Sequence, residues 1–363
     1  MISQSAKDCL RLSLVPGVGA FTAQQLIGHF GSVEKIWKQS SQDLRALDGV
    51  GPKLEQALSQ AKTASANDDL RSLVQMCEQS GIHIICAEDE CWPEGLRACA
   101  DAPLVLYARG QLSVLSAQKI LAVVGARKAS AEGRLIARRW SSYCSKQGVC
   151  VISGMAPGID SAAHGGSIDV DAAGIAVLGY GLLAGSVQQQ QQIDVLVEKG
   201  CVVSEYPPKA MAKAGYFPQR NRLIAGISQA LLVVEGGLKS GSLITARQAL
   251  NYGRDIFAVP GSVLSDIHAG CHQLLKDGAI LATDAEDILH VMAWHAESIK
   301  AEKYQPSSDA EQQIITFLER GVLHVDTLAE DCSLTVPALS TILLRLELQG
   351  VIEKLPGSRY TLS

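Results

Sequence analysis

Ala230-Leu231-Leu232-Val233-Val234-Glu235-Gly236-Gly237-Leu238-Lys239-Ser240-Gly241-Ser242 is the stretch that decides the fold class. Five consecutive apolar residues running into a Gly/Ser loop read as a strand buried on both faces that ends where a ligand can approach. Just upstream, Phe217-Pro218-Gln219-Arg220-Asn221-Arg222 places two guanidiniums, two amides and an aromatic ring within six positions. Arginine forks match phosphate oxygens, and an aromatic ring offers a base a flat face. Together the two stretches point to a nucleotide or a nucleic-acid strand held at the end of a parallel strand.

The same pattern extends outward. Short apolar runs at Ile82–Cys86, Leu104–Tyr107, Ile120–Val124, Val149–Ser153, Gly174–Leu178, Cys201–Glu205, Ala230–Val234 and Asp255–Val259 alternate with helix-length amphipathic segments. This predicts an α/β fold, an extended Rossmann-like doubly wound sheet with its ligand beyond the carboxyl ends of the strands. Gly125-Ala126-Arg127, Ser153 through Gly158, Gly179-Tyr180-Gly181 and Gly236 through Ser242 are expected to converge on that rim. No G-x-x-x-x-G-K-[ST] occurs, which disfavours ATP hydrolysis.

Residues 1–65 state one idea twice. Leu14-Val15-Pro16-Gly17-Val18-Gly19 and Leu47-Asp48-Gly49-Val50-Gly51-Pro52 each precede an amphipathic segment, which predicts two helix–hairpin–helix units in a SAM-like N-terminal domain. Lys53 suits the second hairpin to a phosphate, whereas no cation follows the first until Lys35, so a plain helical bundle stays open. Residues 66–296 are assigned to the Rossmann-like domain, the polar stretch 297–310 to a linker, and 311–363 to a winged helix. The winged helix is predicted from helices at Glu311–Leu318, Val325–Asp331 and Val336–Gln349, followed by a two-stranded wing at Val351–Lys354 and Arg359–Leu362. Its third helix has Arg345 as its one cation, beside Glu347, so protein docking fits it better than duplex reading.

Composition narrows the classes further. With 363 residues, 47% hydrophobic and 19% charged, the chain can bury a large core plus small satellite domains. A net charge of −5 excludes a surface that coats nucleic acid everywhere and leaves local patches. Two such patches are Lys119–Lys146, where Glu132 is the lone acid, and Lys209–Arg222, which has none. The ten cysteines form no C-x-x-C pair and read as reduced filler. Asp160 and His164 share a helix face, but no further ligand stands at metal spacing, so neither a metal nor a cofactor is expected. No apolar run approaches a membrane span and no secretory start is evident, so a cytoplasmic protein is expected.

The residues then resemble the DprA/Smf family of bacterial DNA-processing proteins along essentially the whole chain. The resemblance rests on Val124-Gly125-Ala126-Arg127, Ser153-Gly154-Met155-Ala156 with Gly158-Ile159-Asp160 and His164, Ala176 through Gly179, and Ser204-Glu205-Tyr206-Pro207. It continues through Phe217–Arg222, Ser240-Gly241-Ser242-Leu243-Ile244-Thr245-Ala246 and Ala258-Val259-Pro260-Gly261. It implies a non-enzymatic protein that binds incoming single-stranded DNA during natural transformation, shields it from nucleases and helps load the RecA recombinase. A homodimer through the Rossmann domain is also implied, with Ala269–Gly278 as one candidate surface. The DNA- or phosphate-binding set is expected to be Gly125, Arg127, Lys128, Phe217, Arg220, Asn221, Arg222, Lys239, Ser240, Gly241 and Ser242. By motif position, Arg127 would meet a phosphate, Arg220 and Arg222 the backbone and its neighbouring phosphates, and Phe217 a base or the pocket wall.

The chain departs from the family pattern at Ala126, Pro157 and His272, where serine, arginine and asparagine are usual, and after Gly181-Leu182, where a glutamine run, Gln188–Gln192, follows. That run is expected to start a helix or form a loop. The alternative reading is a nucleotide phosphoribohydrolase-like enzyme using the same crevice. Its loop glutamate is missing after Gly236-Gly237, leaving Asp160 and Glu205, which read as a helix cap and an arginine's structural partner. A third reading makes the protein an adaptor acting through its winged helix.

Overall fold

A computed structural model describes residues 2–295 and, towards the C-terminus, residues 306, 308–318, 321–332, 334–348, 351–355 and 357–362. The chain divides into two units, Met1–His295 and Ala296–Ser363.

The first unit begins with α1 (Gln4–Ser13), α2 (Ala20–Phe30), α3 (Val33–Lys38), α4 (Ser41–Arg45), α5 (Pro52–Gln60) and α6 (Ala64–Gln79). Both predicted hairpins are present and built alike. Gly17 (φ 90°) and Gly49 (φ 89°) occupy the left-handed region that disfavours side chains, while Gly19 and Gly51 cap the following helices. In each, a backbone bond closes the turn, Val18 N to Val15 O and Val50 N to Leu47 O. Leu10, Leu26 and Leu58 pack into one core with Ile82, Ile84, Tyr107 and Leu178, so the helices share their interior with one end of the sheet.

That sheet has nine strands: β1 (His83–Ile85), β2 (Leu106–Gly110), β3 (Ile120–Val124), β4 (Cys150–Ser153), β5 (Gly174–Val177), β6 (Cys201–Ser204), β7 (Ala230–Val233), β8 (Asp255–Ala258) and β9 (Ile280–Leu281). Their order is β1-β2-β6-β5-β4-β3-β7-β8-β9. The ladder from β6 to β9 is parallel, and β1 and β2 add antiparallel at one edge. The eight predicted strands are all found. The second sits later than its apolar run suggests, because pairing with β6 draws in Arg109, which bonds Asp194 at 2.9 Å. The ninth strand is too short to leave a sequence pattern.

Intervening helices are α7 (Glu94–Arg97), α8 (Ala131–Lys146), α9 (Ile159–Asp169), α10 (Val187–Val197), α11 (Tyr216–Ile227), α12 (Gly241–Asn251), α13 (Ala269–Lys276) and α14 (Ala285–Val291). Strand residues alternate between two cores, as a sheet covered on both faces requires. Ile120, Ala122 and Val124 of β3 join Leu231 and Val233 of β7 under α11 and α12. Leu121 and Val123 join Ala230 and Leu232 against α8, α9 and α14. From β3 the chain winds one way to β4, β5 and β6, and from β7 the other way to β8 and β9. The boundary between β3 and β7 is therefore the topological switch point, where the carboxyl ends of a doubly wound sheet open a crevice.

In the second unit, α15 (Asp309–Leu318), α16 (Val325–Asp331) and α17 (Val336–Leu348) accompany β10 (Leu323–His324), β11 (Ile352–Leu355) and β12 (Arg359–Leu362). The wing has three strands in the order β10-β12-β11, one more than expected, because two residues before α16 pair with β12. Of the predicted linker, residues 297–305 and 307 lie outside the described residues, as does Gln349 of the predicted third helix, while Asp309 and Ala310 open α15.

The four tryptophans, Trp37, Trp92, Trp140 and Trp294, all belong to the first unit, so their fluorescence isolates its unfolding. Leu26→Ala, in a fully buried side chain of α2, is expected to lower stability by about 2–5 kcal/mol while the tryptophan signal still shows one transition. A separate early transition would contradict the shared core.

Candidate functional site

A cavity of about 410 Å³ lies at the switch point. Its walls come from the end of β3 and the loop after it, the turn between β4 and α9, and the starts of α9, α11 and α12.

The loop after β3 leaves the sheet at Gly125, where a side chain would meet Ile159 at 2.5 Å and the Glu235 carbonyl at 2.8 Å. Ala126 N donates to that carbonyl at 2.8 Å. The Glu235 carboxylate, buried at the end of β7, accepts Ser130 N at 2.9 Å and also the Ser130 hydroxyl. Gly133 leaves the space that this carboxylate occupies. One buried acid thus fixes the Arg127 loop against the β7 loop. The sequence reading missed it, since a glutamate beside Gly-Gly carries no signal of burial.

Arg127 itself is exposed, with its guanidinium 4.9 Å from the Phe217 ring centroid. That is a cation–π distance, so the crevice presents a charge and an aromatic surface side by side. Opposite stands the start of α12. Ser240 caps it by accepting Ser242 N at 3.3 Å, and the two serine hydroxyls bond each other at 2.8 Å. A Cβ at Gly241 would touch nothing within 4 Å, which leaves the positive end of the helix approachable. Asn221 donates to the Gly241 carbonyl at 3.4 Å and joins α11 to α12.

The other arginines differ from the expectation. Arg220 lines the floor but is 4% exposed, donates Nη1 to the Val177 carbonyl and lies over Gly154, where a Cβ would come within 2.1 Å. Burial pulls its pKa below the usual arginine range, partly opposed by Asp160. Asp160 in turn is raised by burial, against Arg220 and the Ala156 N–H. Arg220 therefore supplies positive potential from beneath. Arg222 does not line the cavity. It pairs with Glu205, both side chains largely buried, and this is the structural partnership predicted for Glu205. A side chain locked in a low-dielectric pair is not available to a strand.

Gly125, Arg127, Phe217, Arg220, Asn221, Ser240, Gly241 and Ser242 are thus brought together, while Lys128 and Lys239 stand exposed outside the cavity lining. Ala156 and Asp160 represent the β4 turn, but Gly179–Gly181 do not reach the cavity: Gly179 makes room for Phe217 and Gly181 for the Pro207 and Pro208 carbonyls. Neither Pro157 nor His272 lines it, and His272 bonds the Gly261 carbonyl at 3.1 Å. Thr245 and Ile244, on the next turn of α12, complete the wall and were not anticipated. Among the described residues no cluster of three or more His, Cys, Asp or Glu side chains could hold a metal ion, and no helix is long and apolar enough to cross a membrane.

Comparison with known proteins assigns the chain in three parts. Residues 83–293 match the family described as DNA recombination-mediator protein A, residues 299–358 the DprA winged helix domain, and residues 11–70 a helix-hairpin-helix motif. Protein Smf of Escherichia coli is 37% identical over 334 residues, spanning 89% of this chain and 88% of that one. DNA processing protein DprA of Streptococcus pneumoniae is 38% identical over 202 residues, 55% of this chain and 71% of that one. The X-ray structure of S. pneumoniae DprA superposes with a TM-score of 0.69 at 30% identity, covering 80% of this chain and 98% of that one. A Helicobacter pylori DNA processing protein A, described for its single-stranded DNA binding mode, shares the fold at 24% identity and a TM-score of 0.52, covering 58% and 95%.

Glu205→Ala strands the Arg222 guanidinium in a poorly solvated position and is expected to cost about 3–5 kcal/mol in denaturant unfolding. Removing both charges in Glu205→Ala/Arg222→Met should recover most of that loss. Equal destabilisation by the single and double variants would contradict the pairing.

Proposed function

Because the chain belongs to the DNA recombination-mediator protein A family, the DprA/Smf proteins, we propose that it binds single-stranded DNA in the crevice between β3 and β7. In this reading it shields the strand from nucleases and helps place the RecA recombinase on it during natural transformation. The observation that carries the reading is the meeting, in one cavity, of the Arg127–Phe217 pair, the open start of α12 and the buried charge of Arg220.

Each component has a distinct role. Arg127 and the backbone at Gly241 take phosphates, Phe217 takes a base or its sugar, and Ser240 and Ser242 orient the phosphate through hydroxyls already close together. Lys128, Lys239 and Lys213, the last 5.4 Å from the Tyr216 ring centroid, extend the positive rim along which a longer strand runs. The departure at Ala126 removes one hydroxyl, worth about 0.5–1.5 kcal/mol, but leaves its backbone N–H engaged with Glu235. A dimer through the Rossmann unit, with α13 among the candidate surfaces, would double the site and raise avidity.

The enzymatic alternative has little support. The loop position that would need a carboxylate holds none, Glu205 is occupied by Arg222, and Asp160 is engaged with the Ala156 N–H beside Arg220. The winged helix is assigned to protein docking, since Arg345, the one cation of α17, lies 3.3 Å from buried Glu311.

Filter binding across a salt series tests the proposal. Wild-type protein should prefer a single strand to duplex, with log K falling steeply against log salt. Arg127→Ala should weaken single-strand binding about tenfold and reduce the slope by roughly one, and Phe217→Ala should weaken it by about 1–3 kcal/mol with the slope kept. Wild-type affinity in both variants would overturn the assignment.

A further inference from the structure

The sheet that carries the crevice ends, at its antiparallel edge, on β1. Along that edge lies a cavity of about 640 Å³ that shares no residue with the crevice. All three residues of β1 line it. So do Val74 of α6, which packs on the sheet face of Ile84, and Leu112, which packs on the opposite face with Ile85. The cavity therefore follows the strand's edge from one face of the sheet to the other.

The pairing of β2 shows which main-chain groups of β1 meet this space. Gln111 N bonds the Gly200 carbonyl at 2.9 Å, one step beyond the Arg109–Val202 pair, so the odd-numbered residues of β2 direct their hydrogen bonds to β6. Leu106 and Ala108 then serve β1, where their partners are Ile85 and His83. Ile84, between those two, turns its N–H and C=O away from β2, beyond the last strand. The neighbouring N–H groups on that side are already taken: Ile82 N by the Cys77 carbonyl at 2.8 Å and Cys86 N by the Asp89 carboxylate at 2.8 Å. Ile84 has no corresponding partner among the described residues, although it is only 6% exposed. A donor and an acceptor left bare on a strand edge are what an added extended chain satisfies together.

Charge selects the kind of chain. Glu78, in the last turn of α6 before the strand, and Asp89 and Glu90, in the turn after it, all line the cavity, and apart from His83 no basic side chain does. Glu78 and Glu90 are exposed and form no ion pair among the described residues. The arginines that flank them in sequence are engaged elsewhere, Arg71 with Asp68 at 3.1 Å and Arg97 with Glu94 at 2.9 Å. A second copy of this edge would bring the same acids against these, and a polynucleotide would bring phosphates, so like charges oppose both.

We propose that the open edge of β1 is a docking site for an extended segment of a partner protein, one bearing lysine or arginine among apolar residues, which joins the sheet as a further strand. Alternate side chains of that segment fall on the Val74 and Leu112 sides, its main chain bonds Ile84, and its cations meet Glu78 and Glu90. The site is independent of the single-strand reading, because no crevice residue takes part.

The test selects a phage-displayed library of random linear peptides on the full-length protein, then titrates the enriched peptides while amide exchange is followed in isoleucine-labelled protein, with Ile84 assigned through Ile84→Val. The Ile84 amide is expected to exchange faster than that of Ile85 in the free protein. Enriched peptides are expected to carry Lys or Arg, to slow Ile84 exchange at least about tenfold, and to bind more weakly as salt rises. Glu78→Lys/Glu90→Lys, at two exposed positions, should weaken them about tenfold or more, and methylating alternate backbone nitrogens of the peptide should do the same without altering the protein. The proposal is overturned if no peptide is enriched, if enriched peptides lack Lys and Arg, if they leave Ile84 exchange unchanged, or if raising the protein concentration alone protects Ile84.

Discussion

The crevice depends on a single buried carboxylate. Glu235 leaves β7 just where the sheet changes its winding direction and turns inward, its charge satisfied by the Ser130 backbone and hydroxyl rather than by a cation. Two neutral donors hold an anion without cancelling it, so the carboxylate tethers the loop after β3 and keeps Arg127 facing outward. Had an arginine neutralised Glu235, a guanidinium would have been drawn away from the rim. Gly133 and Gly125 are part of the same device, since a Cβ at either would collide with Glu235.

Three arginines close in sequence or space are put to three physical uses, and burial sorts them. Arg127 is exposed and rests against Phe217. Arg220 is desolvated beneath the floor, with Nη1 donating to the Val177 carbonyl and its charge balanced in part by Asp160. Arg222, two residues further along α11, points to the other side of the helix and is neutralised by Glu205. A chain of net charge −5 can therefore raise a local positive potential without a broadly basic surface.

This sorting marks the boundary of what the sequence made legible. Apolar runs located the eight longer strands because strands covered on both faces carry little else, and the paired glycines located both hairpins because φ near 90° admits few other residues. That the Phe217, Arg127 and Ser240–Ser242 segments meet at one cavity was legible in outline. Whether a given guanidinium faces solvent or a buried acid was not, since Arg220 and Arg222 differ only in helix phase and in partners distant in sequence, Val177 and Glu205. Glu235 escaped for the same reason: its function is set by Ser130 and Gly133, about a hundred residues earlier.

The glycines of the rim carry a similar lesson. From sequence, all four turns read as phosphate-facing, yet a Cβ at Gly154 would strike the Arg220 guanidinium at 2.1 Å and one at Gly158 the Ala126 carbonyl at 2.3 Å. Those glycines let protein approach protein. Gly241 is different, for nothing lies within 4 Å of where its Cβ would be, and it opens an eleven-residue helix whose capping serine leaves the approach clear. In the proposed reading, that open position at the start of α12 is where an incoming phosphate meets the backbone. The close-packed glycines around it hold that point in place.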